Sequence, residues 1–356
     1  MSDVLIEKRH GVGVITLNRP QALNAINLEM VRTMFTTLKL WEQDEDVKAV
    51  LVRGAGERAF CAGGDIRTVY ESLVDGRSDH MTFFAEEFEL NQYIYQYPKP
   101  YIALMTGYVM GGGMGISQGA SFRVVTPRSK ISMPEVGIGY FPDVGGSYFL
   151  SRCPNTLGLY LGITGVIASG EDAVYANLAD WVLADEQVDD FVLGLETLFG
   201  NLVSPSSVSR YEILNQYLKQ CNAREESSNS HLEKIEGMIE KHFSHLTIQE
   251  IISSLESEDD PAFLEWVEKT LGKMRKQSPL SMVTTQRLVQ LGRTKSMEEC
   301  FEMEYALLGE WMVHGDFIEG VRALIIDKDN QPKWRYTLDQ VSTERVNNLF
   351  VKVKQS

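Results

Sequence analysis

The sequence predicts an α/β fold. Three features predict it: short apolar runs that read as strands, helix-compatible stretches between them, and two glycine-rich loops placed where such runs end. Beyond about residue 200 the strand signals stop and charge-rich helical stretches take over, so the chain divides into a core over residues 1–200 and a helical region over residues 201–356. In order along the core, Val12, Val14 and Thr16 alternate with Gly13, Ile15 and Leu17 as a strand. Asn27 then caps a helix on which Met30, Met34, Leu38 and Trp41 share one face. A strand over residues 47–53 ends at the loop Ala59-Phe60-Cys61-Ala62-Gly63-Gly64-Asp65-Ile66. A helical stretch covers residues 83–91, and a strand over residues 101–107 leads to the second loop, Gly111-Gly112-Gly113-Met114-Gly115. Residues 122–126 and 131–133 complete the strands. In the helical region residues 227–230 and 257–261 read as loops, Ser278-Pro279 opens a helix running through Leu288, and residues 316–324 begin another.

A chain of 356 residues, 44% hydrophobic and 23% charged, has the composition of a globular protein with a large core. No apolar run approaches the roughly 18 residues of a membrane span. A strand pattern begins almost at once and leaves no room for a targeting segment, so a cytoplasmic protein without a membrane partner is expected. The net charge of −15 argues against a nucleic-acid partner. Cys61, Cys153, Cys221 and Cys300 are scattered, with neither CxxC spacing nor accompanying histidines, so neither a metal site nor a disulfide framework is expected.

The glycine loops carry the chemistry. A peptide N–H approaches a substrate atom closely only where no Cβ intervenes, and a glycine that opens a helix adds the positive end of the helix dipole. Two such loops can aim the N–H groups of Gly64 and Gly112 at one oxygen, forming an oxyanion hole for a carbonyl that gains charge in acyl or enolate chemistry. Cys61 lies inside the first loop, yet no histidine falls in any motif block to activate it as a nucleophile.

The segments Asn18-Arg19-Pro20-Gln21-Ala22-Leu23-Asn24-Ala25, Ala59 to Ile66 as given above, and Met110-Gly111-Gly112-Gly113-Met114-Gly115-Ile116-Ser117, in this order and spacing, resemble the crotonase (enoyl-CoA hydratase/isomerase) superfamily. Further blocks are similar to its 3-hydroxyisobutyryl-CoA hydrolase branch. They are Met133-Pro134-Glu135, Gly139-Tyr140-Phe141-Pro142-Asp143-Val144-Gly145-Gly146, the 316–324 segment, Asp327-Lys328-Asp329 and Pro332-Lys333-Trp334. The resemblance runs nearly end to end. It implies a crotonase-like spiral of ββα units with a helical C-terminal region whose 316–324 helix faces the coenzyme. It also implies thioester hydrolysis of an acyl-CoA in valine catabolism, with no cofactor beyond the coenzyme A of the substrate. Relatives often assemble as trimers or pairs of trimers, which leaves a homo-oligomer open here. A polyanionic coenzyme bound to so acidic a chain calls for local positive charge, for which Arg53, Arg58, Arg67, Lys328 and Lys333 are candidates.

Glu135 and Asp143 are eight residues apart, and the glycines and Pro142 between them preclude a regular helix, so both sit on or beside a loop. Two carboxylates beside apolar groups can hold different pKa values and divide the roles of base and orienting group. For Asp143 the structural alternative is a helix N-cap, since Val-Gly-Gly-Ser follows it. In hydratases of the superfamily a second glutamate follows the glycine triplet, but Gly115 stands there in this chain, which disfavours water addition to a double bond. The resemblance gives Glu135 the part of nucleophile or base, Asp143 that of holding the substrate's 3-hydroxyl, and Glu87 a place in the substrate pocket. A solvated helix charge is the alternative for Glu87, and packing is the alternative for Ser117.

Overall fold

A computed structural model describes residues 2–202, 209–222 and 229–351; of the loop expected over residues 227–230, Ser227 and Ser228 lie outside them. The chain clusters into two compact units. The first comprises Met1–Asp65, Glu86–Ile131 and Ala168–Glu233, and the second Ile66–Ala85, Ser132–Ile167 and Lys234–Ser356.

The strands of the first unit are β1 (Val4–Arg9), β2 (Val12–Leu17), β3 (Ala49–Gly54), β4 (Ala59–Cys61), β5 (Tyr101–Met105), β6 (Tyr108–Met110), β7 (Phe122–Val125), β8 (Lys130–Ser132) and β9 (Trp181–Val182). Six form one sheet in the order β1-β2-β3-β5-β7-β9, antiparallel at β1-β2 and parallel beyond. β2 and β5 are buried along their whole length, which is why, apart from Thr16 in β2, they carry apolar residues on both faces. Helices Val188–Gly200 and Arg210–Cys221 join one core with Val12, Val14, Ala49, Leu51, Ile102, Leu104 and Val124. Against the sheet packs α1 (Leu28–Glu42), capped as its sequence predicts by Asn27 Oδ1 accepting from the Met30 N–H at 2.9 Å. Trp41 of this helix lies on Gly13, where a Cβ would stand 2.5 Å from the indole.

The second sheet, β4-β6-β8, was not legible in the sequence, and it positions both glycine loops. The strand expected over residues 101–107 ends at Met105, because Gly107 turns the chain at φ +67; a Cβ there would lie 2.3 Å from the Arg58 carbonyl oxygen. The loops therefore leave β4 and β6, not the longer strands before them. β4 and β6 are parallel neighbours, with Ala59 opposite Tyr108 and Cys61 opposite Val109, so the loops start side by side.

The second unit is helical, and among the described residues no strand follows Trp181–Val182. It contains α2 (Ile66–Val74); α3 (Asp79–Tyr95) includes the expected helical stretch, and α4 (Gly112–Gln118) follows the second glycine loop in the first unit. In the second unit the helix Pro279–Gly292 starts at the Ser278 cap, whose Oγ accepts from the Ser281 N–H at 3.1 Å. It lies directly on α5 (Gly146–Leu150): a Cβ on Gly292 would stand 2.0 Å from the Ser147 carbonyl oxygen. The cap of α5 comes from a distant helix, Met297–His314. Glu304 on that helix is fully buried, and its carboxylate accepts from Gly145 N–H at 2.8 Å, from Ser147 N–H at 2.7 Å and from the Ser147 hydroxyl. Burial pushes the Glu304 carboxyl up to about 8 against these bonds, with the charge of Asp143 adding to the rise.

The folded chain thus holds the Glu304 proton more tightly than the unfolded chain between its ordinary pKa and about 8, and stability from this group falls as pH rises through that window. Glu304→Gln does not titrate. The thermal midpoint of the native protein relative to Glu304→Gln should therefore decline from pH 5 to pH 8. Melting both proteins across that range checks it, and a constant difference contradicts it.

Candidate active site

In the first unit the two glycine loops meet backbone to backbone. A Cβ on Gly113 would lie 2.3 Å from the Cys61 carbonyl oxygen, and one on Gly112 would lie 3.3 Å from Gly64 N and 2.5 Å from Glu87 Oε1. Glycine is required at both by this approach. Gly112 opens α4, so its N–H has no acceptor within the helix. Ile26 N–H donates to Gly63 O at 2.8 Å, and Asp65 N–H donates to Ile26 O at 2.8 Å. In such a parallel bridge the N–H of the intervening Gly64 points away from Ile26. Gly64, Gly112 and Glu87 are thereby brought to one place.

The 18–25 segment is the brace for this corner. Asn24 is fully buried, and its amide donates to Ala59 O at 2.8 Å and Ala55 O at 3.0 Å while accepting from Arg19 N–H at 3.0 Å. The Arg19 guanidinium holds the Asp65 carboxylate at 3.0 Å. Glu87 is 2% exposed, so it is not a solvated helix charge; that description fits its neighbour Glu86, paired with Arg32 at 2.6 Å. Cys61 is buried and its thiol is pushed up to about 12 by burial, which leaves no thiolate for nucleophilic attack. Ser117 is buried and donates back to Met114 O at 3.2 Å, a packing role.

Glu135 and Asp143 lie together in the second unit, on the segment between β8 and α5. Glu135 opens a short turn, Glu135–Ile138, and Asp143 precedes Val144 and Gly145, both at positive φ (+50 and +88). Asp143 does not cap α5: the N-cap is Gly145, and Glu304 supplies the acceptor. Both acids are buried. Burial, and then the neighbouring Asp143 charge, raises the Glu135 carboxyl well above its ordinary value, and Glu135 Oε2 has no hydrogen-bond partner among the described residues. Burial pushes Asp143 up to about 7, opposed by a hydrogen bond from Tyr140. Tyr140 stacks on Phe141 and Phe84 and meets Phe317 edge-on, which gives the acids an aromatic wall.

The segment carrying the acids is clamped by the far end of the chain. Trp311 Nε1 donates to Gly139 O at 2.9 Å. Gly139, at φ +70, lies on the Asp316 carbonyl, where a Cβ would be at 2.4 Å, and Gly320 lies equally close to the Ile138 carbonyl group, at 2.2 Å. The Asp316 carboxylate in turn accepts from Ser278 Oγ at 2.6 Å and Arg335 N–H at 3.0 Å. Asp327 and Asp329 pair with Arg322 at 2.6 and 2.8 Å, so this block binds itself. Of the candidate basic residues, Arg53 touches Thr16 Oγ1 at 3.3 Å in the first unit and Arg58 is exposed there. In the second, exposed Arg67 donates to Ile325 O at 3.1 Å, and Lys328 and Lys333 are exposed. Sequence reasoning missed Glu304, Trp311 and Asn24 as supports of the site. Their only signal was membership of an apolar helix face or of a motif block, with no pattern tying them to their partners.

A family model described as enoyl-CoA hydratase/isomerase matches residues 12–350. A relative from Danio rerio named mitochondrial 3-hydroxyisobutyryl-CoA hydrolase is 43% identical over 98% of this chain and 89% of its own length. One of the same name from Rattus norvegicus is 41% identical over 98% and 89%. Among solved structures, a carnitinyl-CoA dehydratase from Mycobacterium thermoresistibile superposes with a TM-score of 0.88 at 35% identity, over 99% of this chain and 97% of that one. The relatives are named mitochondrial, which overturns the cytoplasmic expectation; a strand at residues 4–9 tells where the sheet starts and carries no information about compartment. The α/β expectation holds in its crotonase form. By the extent of these matches, the chain belongs to the enoyl-CoA hydratase/isomerase family, the crotonase superfamily.

Proposed function

We propose that this chain hydrolyses the thioester of 3-hydroxyisobutyryl-CoA, or of a closely related short 3-hydroxyacyl-CoA, to the free acid and coenzyme A in valine catabolism. The observation that carries the reading is the buried Glu135–Asp143 pair, with Glu135 Oε2 free of hydrogen-bond partners among the described residues. The hydrolase names of relatives above 40% identity support it.

In this reading the N–H groups of Gly64 and Gly112 act as the oxyanion hole for the thioester carbonyl, and Glu135 attacks the carbonyl carbon or activates a water. A thioester gains little resonance from sulfur and its thiolate leaves readily, so one carboxylate and a polarised carbonyl suffice without a Ser-His-Asp triad. Asp143 accepts the substrate's 3-hydroxyl, and Glu87 borders the acyl group. No cofactor takes part beyond the coenzyme A of the substrate. The second reading, hydration or dehydration at a double bond, draws on the dehydratase structure that the chain resembles. Gly115, where that chemistry places a carboxylate, argues against it. A free-thiol assay with 3-hydroxyisobutyryl-CoA separates the two, because only hydrolysis releases coenzyme A.

Glu135→Gln preserves size and removes both nucleophile and base. Turnover should fall on the order of 10²–10⁴-fold with little change in substrate binding, and near-normal turnover of the folded variant would sink the mechanism.

Gly112→Ala sets a methyl 2.5 Å from Glu87 Oε1 and 3.3 Å from Gly64 N, in the seat assigned to the carbonyl oxygen. Thiol release should drop roughly 10²-fold while circular dichroism is unchanged. Since alanine keeps its N–H, retained activity would show that the carbonyl oxygen does not sit where the methyl stands.

Asp143→Asn should act in two ways. A charged acceptor is worth roughly 1.5–3 kcal/mol to the hydrogen bond of a 3-hydroxyl, so kcat/KM for the hydroxylated ester should fall roughly tenfold or more relative to the ester lacking that hydroxyl. Removing the neighbouring negative charge also eases ionisation of Glu135, so the acid limb of the kcat/KM profile should move to lower pH. An unchanged ratio with an unmoved limb leaves Asp143 no part in the chemistry.

A further inference from the structure

Asn91 lies on α3 one turn beyond Glu87. It is fully buried, and neither its Oδ1 nor its Nδ2 has a hydrogen-bond partner among the described residues. Buried amides in folded proteins are nearly always paired, and an unpaired one weakens the fold where a leucine of similar size would not. Its setting gives a reason for keeping it. Residues four apart share a helix face, so Asn91 projects from the side of α3 that carries Glu87. That side runs along α4: Glu87 reaches Gly112 at its start, and Tyr95 reaches Gly119 at its end, where a Cβ would stand 2.8 Å from Tyr95 N. Asn91 lies between these two contacts along α3, as Gly115 lies between Gly112 and Gly119 on α4, and Gly115 offers no side chain to satisfy the amide.

We infer that Asn91 is a positioning residue for the hydrolysis, its amide holding beside Glu87 the water molecule that the reaction consumes. The inference rests on the thioesterase reading. An amide presents a donor and an acceptor together, and water answers both; the Glu87 carboxylate adds a further acceptor, giving the two or more polar partners that a buried water needs. In the reaction the water oxygen forms the new C–O bond to the acyl carbon as the acyl group leaves its previous partner. That partner is the thioester sulfur if water attacks directly, or the Glu135 carboxylate if an anhydride has formed. One water proton stays on the acid or is lost to solvent, and the other goes to the departing thiolate or carboxylate.

The test is Asn91→Leu, assayed for thiol release with 3-hydroxyisobutyryl-CoA and with isobutyryl-CoA, and melted alongside the native protein. We expect kcat to fall at least about tenfold with both esters, KM to stay within about threefold and the thermal midpoint to hold or rise. Asn91→Ser, which restores a donor and an acceptor, should recover part of the lost kcat. Near-normal kcat in Asn91→Leu overturns the inference. So does a loss confined to the hydroxylated ester, which would assign the amide to the substrate's hydroxyl, and so does a lowered midpoint or a failure to fold, which would make the amide structural. Absence of thiol release by the native protein is a different result, since it refutes the thioesterase reading itself.

Discussion

Glu135 and Asp143 are held out of water on one short segment, where burial makes both charges costly and Asp143 makes that of Glu135 costlier still, and a chain tolerates such a pair only if the segment cannot relax. The surrounding second unit is built to that end. Trp311 holds the Gly139 carbonyl, Gly139 and Gly320 bring the 316–324 segment into direct backbone contact with the turn after Glu135, and Asp316 ties that segment to Ser278 and Arg335. On the other side Val144 accepts a left-handed conformation that is unfavourable for a β-branched residue, stabilised by the bonds from Gly145 and Ser147 to Glu304. Glu304 itself is a third buried carboxylate. The unit therefore gives up stability, progressively as pH rises from the ordinary carboxylate range to about 8, to keep two acids in one geometry.

The first unit solves a different problem with the same economy of side chains. Two N–H groups can address one oxygen only if two stretches of backbone come within van der Waals distance, and any Cβ at Gly112 or Gly113 would prevent it. The parallel pairing of β4 and β6 sets the direction of approach, and the buried Asn24 amide fixes the strand–loop junction at Ala55 and Ala59. Glu87 enters this corner from α3 and brings its carboxylate to Gly112.

Much of this was legible in the sequence where local rules govern. The Asn27 and Ser278 caps, the buried face of α1, the fully buried β2 and β5, and the irregular stretch between Glu135 and Asp143 all follow from patterns within a few residues. What escaped depends on distance or brevity. β4 and β6 have three residues each, too few for an alternation to register, and β9 has two. The capping of α5 by Glu304 spans 157 residues, so the sequence left a cap open as the alternative for an Asp beside Gly-Gly-Ser, when the acceptor sits on another helix. Glu87 and Glu86 cannot be told apart by composition; only the packing of α3 decides which is buried and which meets Arg32.

The scaffold does not choose the reaction, as a close structural likeness to a protein named for dehydration makes plain. Polarising a thioester carbonyl is common to hydrolysis, hydration and isomerisation, so an N–H pair that does so, the part proposed for Gly64 and Gly112, is indifferent among them. The difference must come from what reaches the carbons around that carbonyl. Addition to a double bond needs acid and base placed along the acyl chain, and Gly115 withholds one of them. A single buried carboxylate with an oxygen that has no partner among the described residues, and with a proton affinity raised by a second acid, suits the attack at the carbonyl carbon proposed for Glu135, where only one bond to oxygen has to form and a good leaving group completes the step. The absence of a side chain at Gly115 and a buried Glu135 Oε2 without a partner among the described residues thus each favour the hydrolysis proposed above.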